Sequence, residues 1–166
     1  MPDAPNLHPL TPSMQPAALT LNAAHEAQTG PLDAAALQAL CDQAFRVRAL
    51  GGGAQALLIA LDQSAAYDSP NFVWFRDRFD RFVYVDRVIV SPQMRGHGLA
   101  RRLYADLFDA AARAGHVRVC CEVNADPPNP ASDAFHAAMG FAVVGRQDLA
   151  DRGKTVRYMT RPLTTA

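Results

Sequence analysis

The stretch from Val88 to Ala114, closed by Gly115, constrains the fold more than any other part of the chain. It opens Val-Ile-Val-Ser-Pro-Gln-Met-Arg-Gly-His-Gly-Leu-Ala-Arg-Arg-Leu-Tyr and continues as an Ala/Leu-rich run. The β-branched residues predict a strand, and Ser-Pro with Gly-x-Gly predicts a turn. Leu99, Leu103, Leu107 and Ala110 then recur at helical spacing over Gly98 to Ala114. A strand, a glycine loop and a helix start gather unpaired backbone N–H groups and the positive end of the helix dipole at one point. Such a point is an anion site of phosphate size. Glycine belongs there because a Cβ would hold the backbone away from the phosphate. A Walker loop is excluded, since no Gly-Lys-Ser/Thr occurs. A dinucleotide fingerprint fails as well, because Gly96 and Gly98 are followed by Leu99-Ala100-Arg101 with no third glycine.

Length and charge narrow the classes. A chain of 166 residues is read as one domain with a sizeable core. Its 16 Lys and Arg balance 16 Asp and Glu, so no global field draws it to nucleic acid or an anionic membrane. Cys41, Cys120 and Cys121 are odd in number and lack C-x-x-C spacing. They predict neither a disulfide framework nor a zinc site, and no metal is expected. The N-terminus lacks a basic segment before an apolar one, and no apolar run reaches membrane-spanning length. The expectation is a cytoplasmic protein, monomeric or a small oligomer.

Residues 1–16 carry five prolines and few large apolar groups, which predicts a flexible extended tail. The folded domain is expected over 17–166. Ala17 to Leu21 reads as an edge strand and Pro31 to Phe45 as a helix. Gly51-Gly52-Gly53 then turns the chain into a buried strand, Gln55 to Leu61. Asp62 to Arg81 is irregular and aromatic; Phe72, Trp74, Phe75 and Phe79 either cap the core or line an acceptor pocket. Phe82 to Val90 is a strand interrupted by Asp86-Arg87, read either as an ion pair at an exposed end or as a substrate-facing carboxylate.

Past the central helix, whose wet side offers an Asp109–Arg113 pair, Val117 to Val123 alternates as a strand. Its period points Cys120 and Cys121 to opposite faces. Asn129-Pro130 supplies an N-cap and a Pro at N1 for a short helix that packs Phe135 and Met139 inward and ends at Gly140. Phe141 to Arg146 and Thr155 to Pro162 close a mixed α/β sheet. His8, His25 and His116 have no evident partners and read as surface residues, as does His97.

Three ordered elements now stand together. They are R-x-x-G-x-A at Arg95-Gly96-His97-Gly98-Leu99-Ala100, a Glu-Val strand end at Glu122-Val123, and Asn-x-x-Ser-x-x-Phe-His-x-x-x-Gly-Phe over Asn129 to Phe141. The first resembles the acetyl-CoA pyrophosphate loop of the GNAT superfamily of N-acetyltransferases. The last resembles the Asn-x-x-Ala-x-x-Leu-Tyr-x-x-x-Gly-Phe signature that closes that family's coenzyme site. The resemblance runs from about Phe82 to Phe141 and implies the GNAT fold. That fold is an α/β, mostly antiparallel sheet, splayed at the cofactor wedge and flanked by helices.

By that resemblance acetyl-CoA is the cosubstrate. Val88, Ile89 and Val90 would bond pantetheine through their backbones, like an added strand. The N–H groups from Gly96 through His97, Gly98, Leu99 and Ala100 to Arg101 would hold the pyrophosphate beside Arg95. Asn129 and Ser132 would complete the coenzyme site, and an N–H near Val90 would stabilise the tetrahedral oxyanion. The reaction implied is direct attack of a neutral amine on the thioester. At pH 7 the neutral form costs about 1.4 kcal/mol for an α-amino group and about 4.6 kcal/mol for an alkylamine, so a base is useful.

Glu122 resembles the Glu of the Leu-Glu-Val strand end in ribosomal-protein Nα-acetyltransferases and is the first candidate base; Asp86 is the second. His136 stands where the family has a general-acid Tyr. The acceptor expected is a small-molecule amine, with a peptide N-terminus or lysine as the alternative, and a homodimer is possible. A non-catalytic acyl-CoA sensor on the same fold, favoured by the missing Tyr and opposed by Glu122, stays open.

Overall fold

The computed structural model describes residues 6–164. Its six strands form one open mixed sheet in the order β1-β2-β3-β4-β6-β5. They are β1 (Arg46–Leu50), β2 (Ala56–Asp62), β3 (Val83–Val90), β4 (Arg118–Asp126), β5 (Ala142–Leu149) and β6 (Lys154–Pro162). The helices are α1 (Gln15–Ala23), α2 (Glu26–Thr29), α3 (Ala34–Gln43), α4 (Pro70–Arg76), α5 (Leu99–Arg113) and α6 (Pro130–Ala138). This is the mixed α/β architecture expected, with β3 and β4 parallel and the pairs β1/β2, β4/β6 and β5/β6 antiparallel. A parallel pair needs a long crossover, and α5 supplies it in the chain between β3 and β4. The chain divides into two compact units, residues 1–66 with 85–107 and residues 67–84 with 108–166.

In the first unit β1 and β2 form a hairpin in register from Arg46↔Ala60 to Leu50↔Ala56. The three glycines between them all have positive φ, which they adopt without a Cβ penalty. Ala56 through Leu61 are all buried, so β2 reads as a continuous apolar run rather than an alternating one. Asp33 caps α3 by accepting from the Ala36 N–H at 2.8 Å, and Leu37 and Leu40 face inward. Arg46 clamps Asp106 of α5 through two bonds of 2.6 and 2.8 Å, which hold that carboxyl below the usual range.

Two expectations change here. Ala17 to Leu21 lies within helix α1, not in an edge strand. A five-residue window is too short for its period to be read, whereas Pro16 near the helix start and the i,i+3 pair Ala18 and Leu21, both buried, fit a helix. The tail expected to be extended over 1–16 is helical at its end, with a 3-10 turn at Pro12–Met14 and α1 from Gln15, and its His8 exchanges hydrogen bonds with Ala49 of β1 at 3.0 and 2.8 Å. Residues 1–5 of that segment, and 165–166, lie outside the described residues.

The second unit contains β4, β6, β5, the start of β3, and helices α4 and α6. Val83↔Val119 and Tyr84↔Cys120 pair β3 with β4. Strand β4 runs four residues past Glu122, to Asp126, so Glu122 is interior rather than terminal. Both Cys120 and Cys121 are buried, because each face of β4 is covered. Two helices end alike: Gly115 and Gly140 have φ of 84° and 93°, and His116 and Phe141 donate back to Ala111 and His136 at 3.0 Å. The pattern, with the glycine N–H bonding Ala112 or Ala137, is the Schellman closure. It buries His116, which the sequence places at the surface. In α6 the residue turned fully inward is His136, while Phe135 and Met139 are half-buried.

Aromatic packing fixes α4. Phe72 and Phe75 are fully buried against Phe82 and Tyr84, and Trp74 stacks on Tyr158 with centroids 4.3 Å apart. The indole occupies the place of a missing side chain: a Cβ on Gly145 would lie 2.2 Å from Trp74 Cζ2. Gly145→Ala should therefore expel the ring and destabilise the fold by about 1–3 kcal/mol, the usual cost of overpacking. Trp74 is the sole tryptophan. Urea unfolding followed by its emission should show a lower midpoint and a red-shifted native spectrum; a wild-type spectrum and midpoint would contradict the packing account.

Candidate functional site

Strand β3 ends in half-buried Val88 and Val90 around buried Ile89, and a 3-10 turn at Pro92–Met94 leads to the loop. Gly96 and Gly98 have φ of 82° and 73°, and a Cβ at either would meet nothing within 4 Å. The positive φ at both positions is a backbone conformation that glycine adopts without a Cβ penalty. Helix α5 begins at Leu99 directly after the second glycine. The amides of its first turn have no carbonyl four residues earlier in the helix, so they point outward as donors. Ala100 and Arg101 belong to that turn, and Arg101 is exposed. The His97 ring is exposed too and bonds back to the Met94 and Arg95 carbonyls at 3.2 and 3.1 Å.

Arg95 is exposed and meets His25, with its Nη2 3.4 Å from His25 Nε2. The other imidazole nitrogen, Nδ1, lies 3.0 Å from the Leu21 carbonyl. A carbonyl can only accept, so the proton sits on Nδ1 and Nε2 accepts from Arg95.

The Asp86–Arg87 pair is buried rather than at an exposed end: Arg87 Nε donates to Asp86 Oδ2 at 2.7 Å, and the side chains are 6% and 4% exposed. Arg87 Nη1 also donates to Asn22 Oδ1 at 2.6 Å, and Asn22 is tied through its Nδ2 to the Gly30 carbonyl. These bonds compensate the desolvation of the ions.

In the second unit Glu122 lies in a row across three strands. It is opposite Tyr158 on β6, which is opposite Gly145 on β5. Glu122 Oε2 accepts from the Tyr84 hydroxyl at 2.7 Å, and Oε1 accepts from Asn71 Nδ2 at 3.1 Å. Asn71 Oδ1 in turn accepts from the Tyr158 hydroxyl at 2.8 Å. Burial, and then the Glu122 charge, push the Tyr158 phenol upward, while Arg78 and Arg152 oppose the shift; it stays a proton donor.

Asn71, Tyr84 and Tyr158 were not among the residues singled out from sequence. The signal for them is spacing: Asn71, Trp74, Phe75 and Arg78 fall at i, i+3, i+4 and i+7 along one helical face. Tyr84 shares a face with Glu122 once the β3/β4 register is known.

His136 is 4% exposed. Its Nδ1 lies 2.8 Å from the Ser132 carbonyl and 3.2 Å from Ser132 Oγ. The carbonyl contact fixes the neutral tautomer with the proton on Nδ1. Burial lowers the imidazole's pKa, against weaker opposing effects of that bond and of Asp133. Asn129 accepts from the Ser132 N–H at 3.3 Å as the N-cap of α6. The structure thus gathers Asn129, Ser132 and His136 on one helix. Cys120, whose thiol is raised by burial, is not a nucleophile. Among the described residues no group of His, Cys, Asp and Glu is arranged to hold a metal, and no helix is long and apolar enough to cross a membrane.

Residues 71–141 match the model of the acetyltransferase (GNAT) family. Among curated proteins no sequence matches. Solved structures share the fold at low identity. The ribosomal-protein-S18-alanine N-acetyltransferase from Escherichia coli is 18% identical, with 98% of this chain and 96% of that one covered and a TM-score of 0.68. Ard1 from Thermoplasma volcanium is 14% identical, with 98% and 99% covered and a TM-score of 0.76. N-acetylglutamate synthase from Neisseria gonorrhoeae, solved with coenzyme A and N-acetyl-glutamate, is 14% identical over 99% of this chain and 36% of that one, with a TM-score of 0.70. The family match over residues 71–141 spans the glycine loop, Glu122 and the Asn129–Phe141 segment, and the solved structures share the fold.

Proposed function

We propose that the chain is an acetyl-CoA-dependent N-acetyltransferase acting on a primary amine of a small molecule, by direct attack on the thioester carbon. The observation that carries this reading is the pair of left-handed glycines, Gly96 and Gly98, placed immediately before α5. With Arg95 beside them, the amides from Gly96 to Arg101 offer a diphosphate both donors and positive charge. Val88 to Val90 hold the pantetheine arm in this reading, and Asn129 and Ser132 lie along the coenzyme. Glu122 takes the ammonium proton, with Asp86 as the second candidate. Neutral His136 presents an acceptor at Nε2, so it donates to the departing sulfur only as the imidazolium.

A peptide α-amino group is the second acceptor class. It is favoured by the likeness to the solved Escherichia coli enzyme named for acetylating a ribosomal-protein alanine.

The test is thiol release from acetyl-CoA between pH 7 and 9 across small amines, amino acids and short peptides, with calorimetry for coenzyme binding. Turnover is expected, and Glu122→Gln should lower kcat about a hundredfold, within the range for a general base. Coenzyme binding without turnover of any acceptor would instead make the chain a sensor, and no binding would overturn the reading of the loop. A fall in Asp86→Asn with none in Glu122→Gln would move the base to Asp86.

A second expectation concerns His136. Its folded pKa is lowered, so between that value and about 6.5 the unfolded chain binds more protons than the folded one. Stability from this group is present above about pH 6.5 and is lost as pH falls through the lowered pKa. Urea midpoints between pH 7.5 and 5 should drop less steeply in His136→Phe than in the wild type. Parallel slopes would contradict the assignment.

A further inference from the structure

We propose that Asn71 is a positioning residue for Glu122, fixing its carboxylate from α4 and tying it to Tyr158. The inference rests on the reading of Glu122 as the base. Asn71 is 4% exposed, and the amide's orientation follows from its partners. A carboxylate only accepts, so Nδ2 must face Glu122, 3.1 Å away. That leaves Oδ1 toward the Tyr158 hydroxyl at 2.8 Å. Tyr158 stands 2.9 Å from Gln147 Oε1 as well, and its single proton serves one acceptor at a time.

The direction of donation therefore runs from Tyr158 to Asn71 to Glu122, while Tyr84 closes the other carboxylate oxygen. Charged and titratable groups facing this chain include Tyr84 on β3, which donates to Glu122, and Arg78 and Arg152, whose charges act on Tyr158. Both donors to Glu122 favour its ionised form and hold its plane.

Placement of Asn71 is rigid because its helix is. One turn later Trp74 stacks on the ring of the same Tyr158, Phe75 meets that ring edge-on at 5.2 Å, and Arg78 covers Trp74 at 3.9 Å. An apolar residue at 71 would keep the aromatic stack yet leave Oε1 without this donor. The role separates in this way from packing.

The chain holds only two glutamates, Glu26 and Glu122, so carboxyl-labelled glutamate gives two carbon signals, assigned by the loss of one in Glu122→Gln. In Asn71→Ala the Glu122 titration midpoint should rise by about one pH unit, the effect of one charge-assisted hydrogen bond. Tyr158→Phe should move it the same way by less, and serves if Asn71→Ala does not fold; native Trp74 emission checks folding. In kinetics, kcat for Asn71→Ala should fall about tenfold with KM for acetyl-CoA unchanged, and the drop should vanish in the Glu122→Gln background.

An unmoved midpoint overturns the inference, as does an equal tenfold loss in the Glu122→Gln background. If Glu122→Gln alone keeps full kcat while Asn71→Ala still moves the midpoint, the base reading has failed and the positioning contact stands without a catalytic role.

Discussion

A carboxylate set among aromatic rings must be given hydrogen bonds, and much of the second unit follows from meeting that demand at Glu122. The cost of leaving an ionised group unsatisfied in such surroundings is several kcal/mol, larger than most single packing gains. Donors come from two directions, Tyr84 on β3 and Asn71 on α4. For Asn71 to reach the carboxylate, α4 must dock closely on the sheet. Gly145, Tyr158 and Glu122 form one row, with Trp74 over the bare glycine and the phenol ring. The polar contact and the aromatic contacts are thus one constraint. Moving the helix to improve either would break the other.

The loop before α5 is governed by backbone conformation instead. Gly96 and Gly98 place positive φ twice within three residues. This bends the chain from the end of β3 into the helix and leaves the first-turn amides facing outward. Arg95 is held from a distant part of the sequence by His25, whose tautomer is set by the Leu21 carbonyl. The 330 Å³ cavity lined by Asn22, Glu26 and Asp33 lies beside the same α1–α2 segment. The segment that orients the loop arginine therefore also borders an open, partly acidic hollow.

Legibility from sequence tracks the range of the interactions. The strand, glycine loop and helix were readable because their signals are local, and so were the Asn129 cap and both glycine helix ends. What escaped depends on register. Tyr84 and Tyr158 reach Glu122 only through pairing between strands far apart in the chain, which no window of residues displays. The burial of His116 follows from helix-end geometry, and the buried Asp86–Arg87 pair has its partner Asn22 65 positions away from Arg87. Ala17 to Leu21 misled because five apolar and small residues fit either period.

In the proposed reaction, a histidine at position 136 in place of a general-acid tyrosine is tolerable on proton accounting alone. Releasing a thiolate of pKa about 8.5 at pH 7 costs about 2 kcal/mol, and nothing once the pH reaches that value. Deprotonating an alkylammonium at the same pH costs about 4.6 kcal/mol, more than twice as much. A chain under pressure to keep only one proton-transfer group should keep the base. In the proposed reading that base is Glu122, which has two donors holding both its oxygens, while His136 turns its proton to the Ser132 carbonyl and sits neutral against Phe141. The proposed reaction is then paced by amine deprotonation, and its dependence on an acid fades as the solution becomes alkaline.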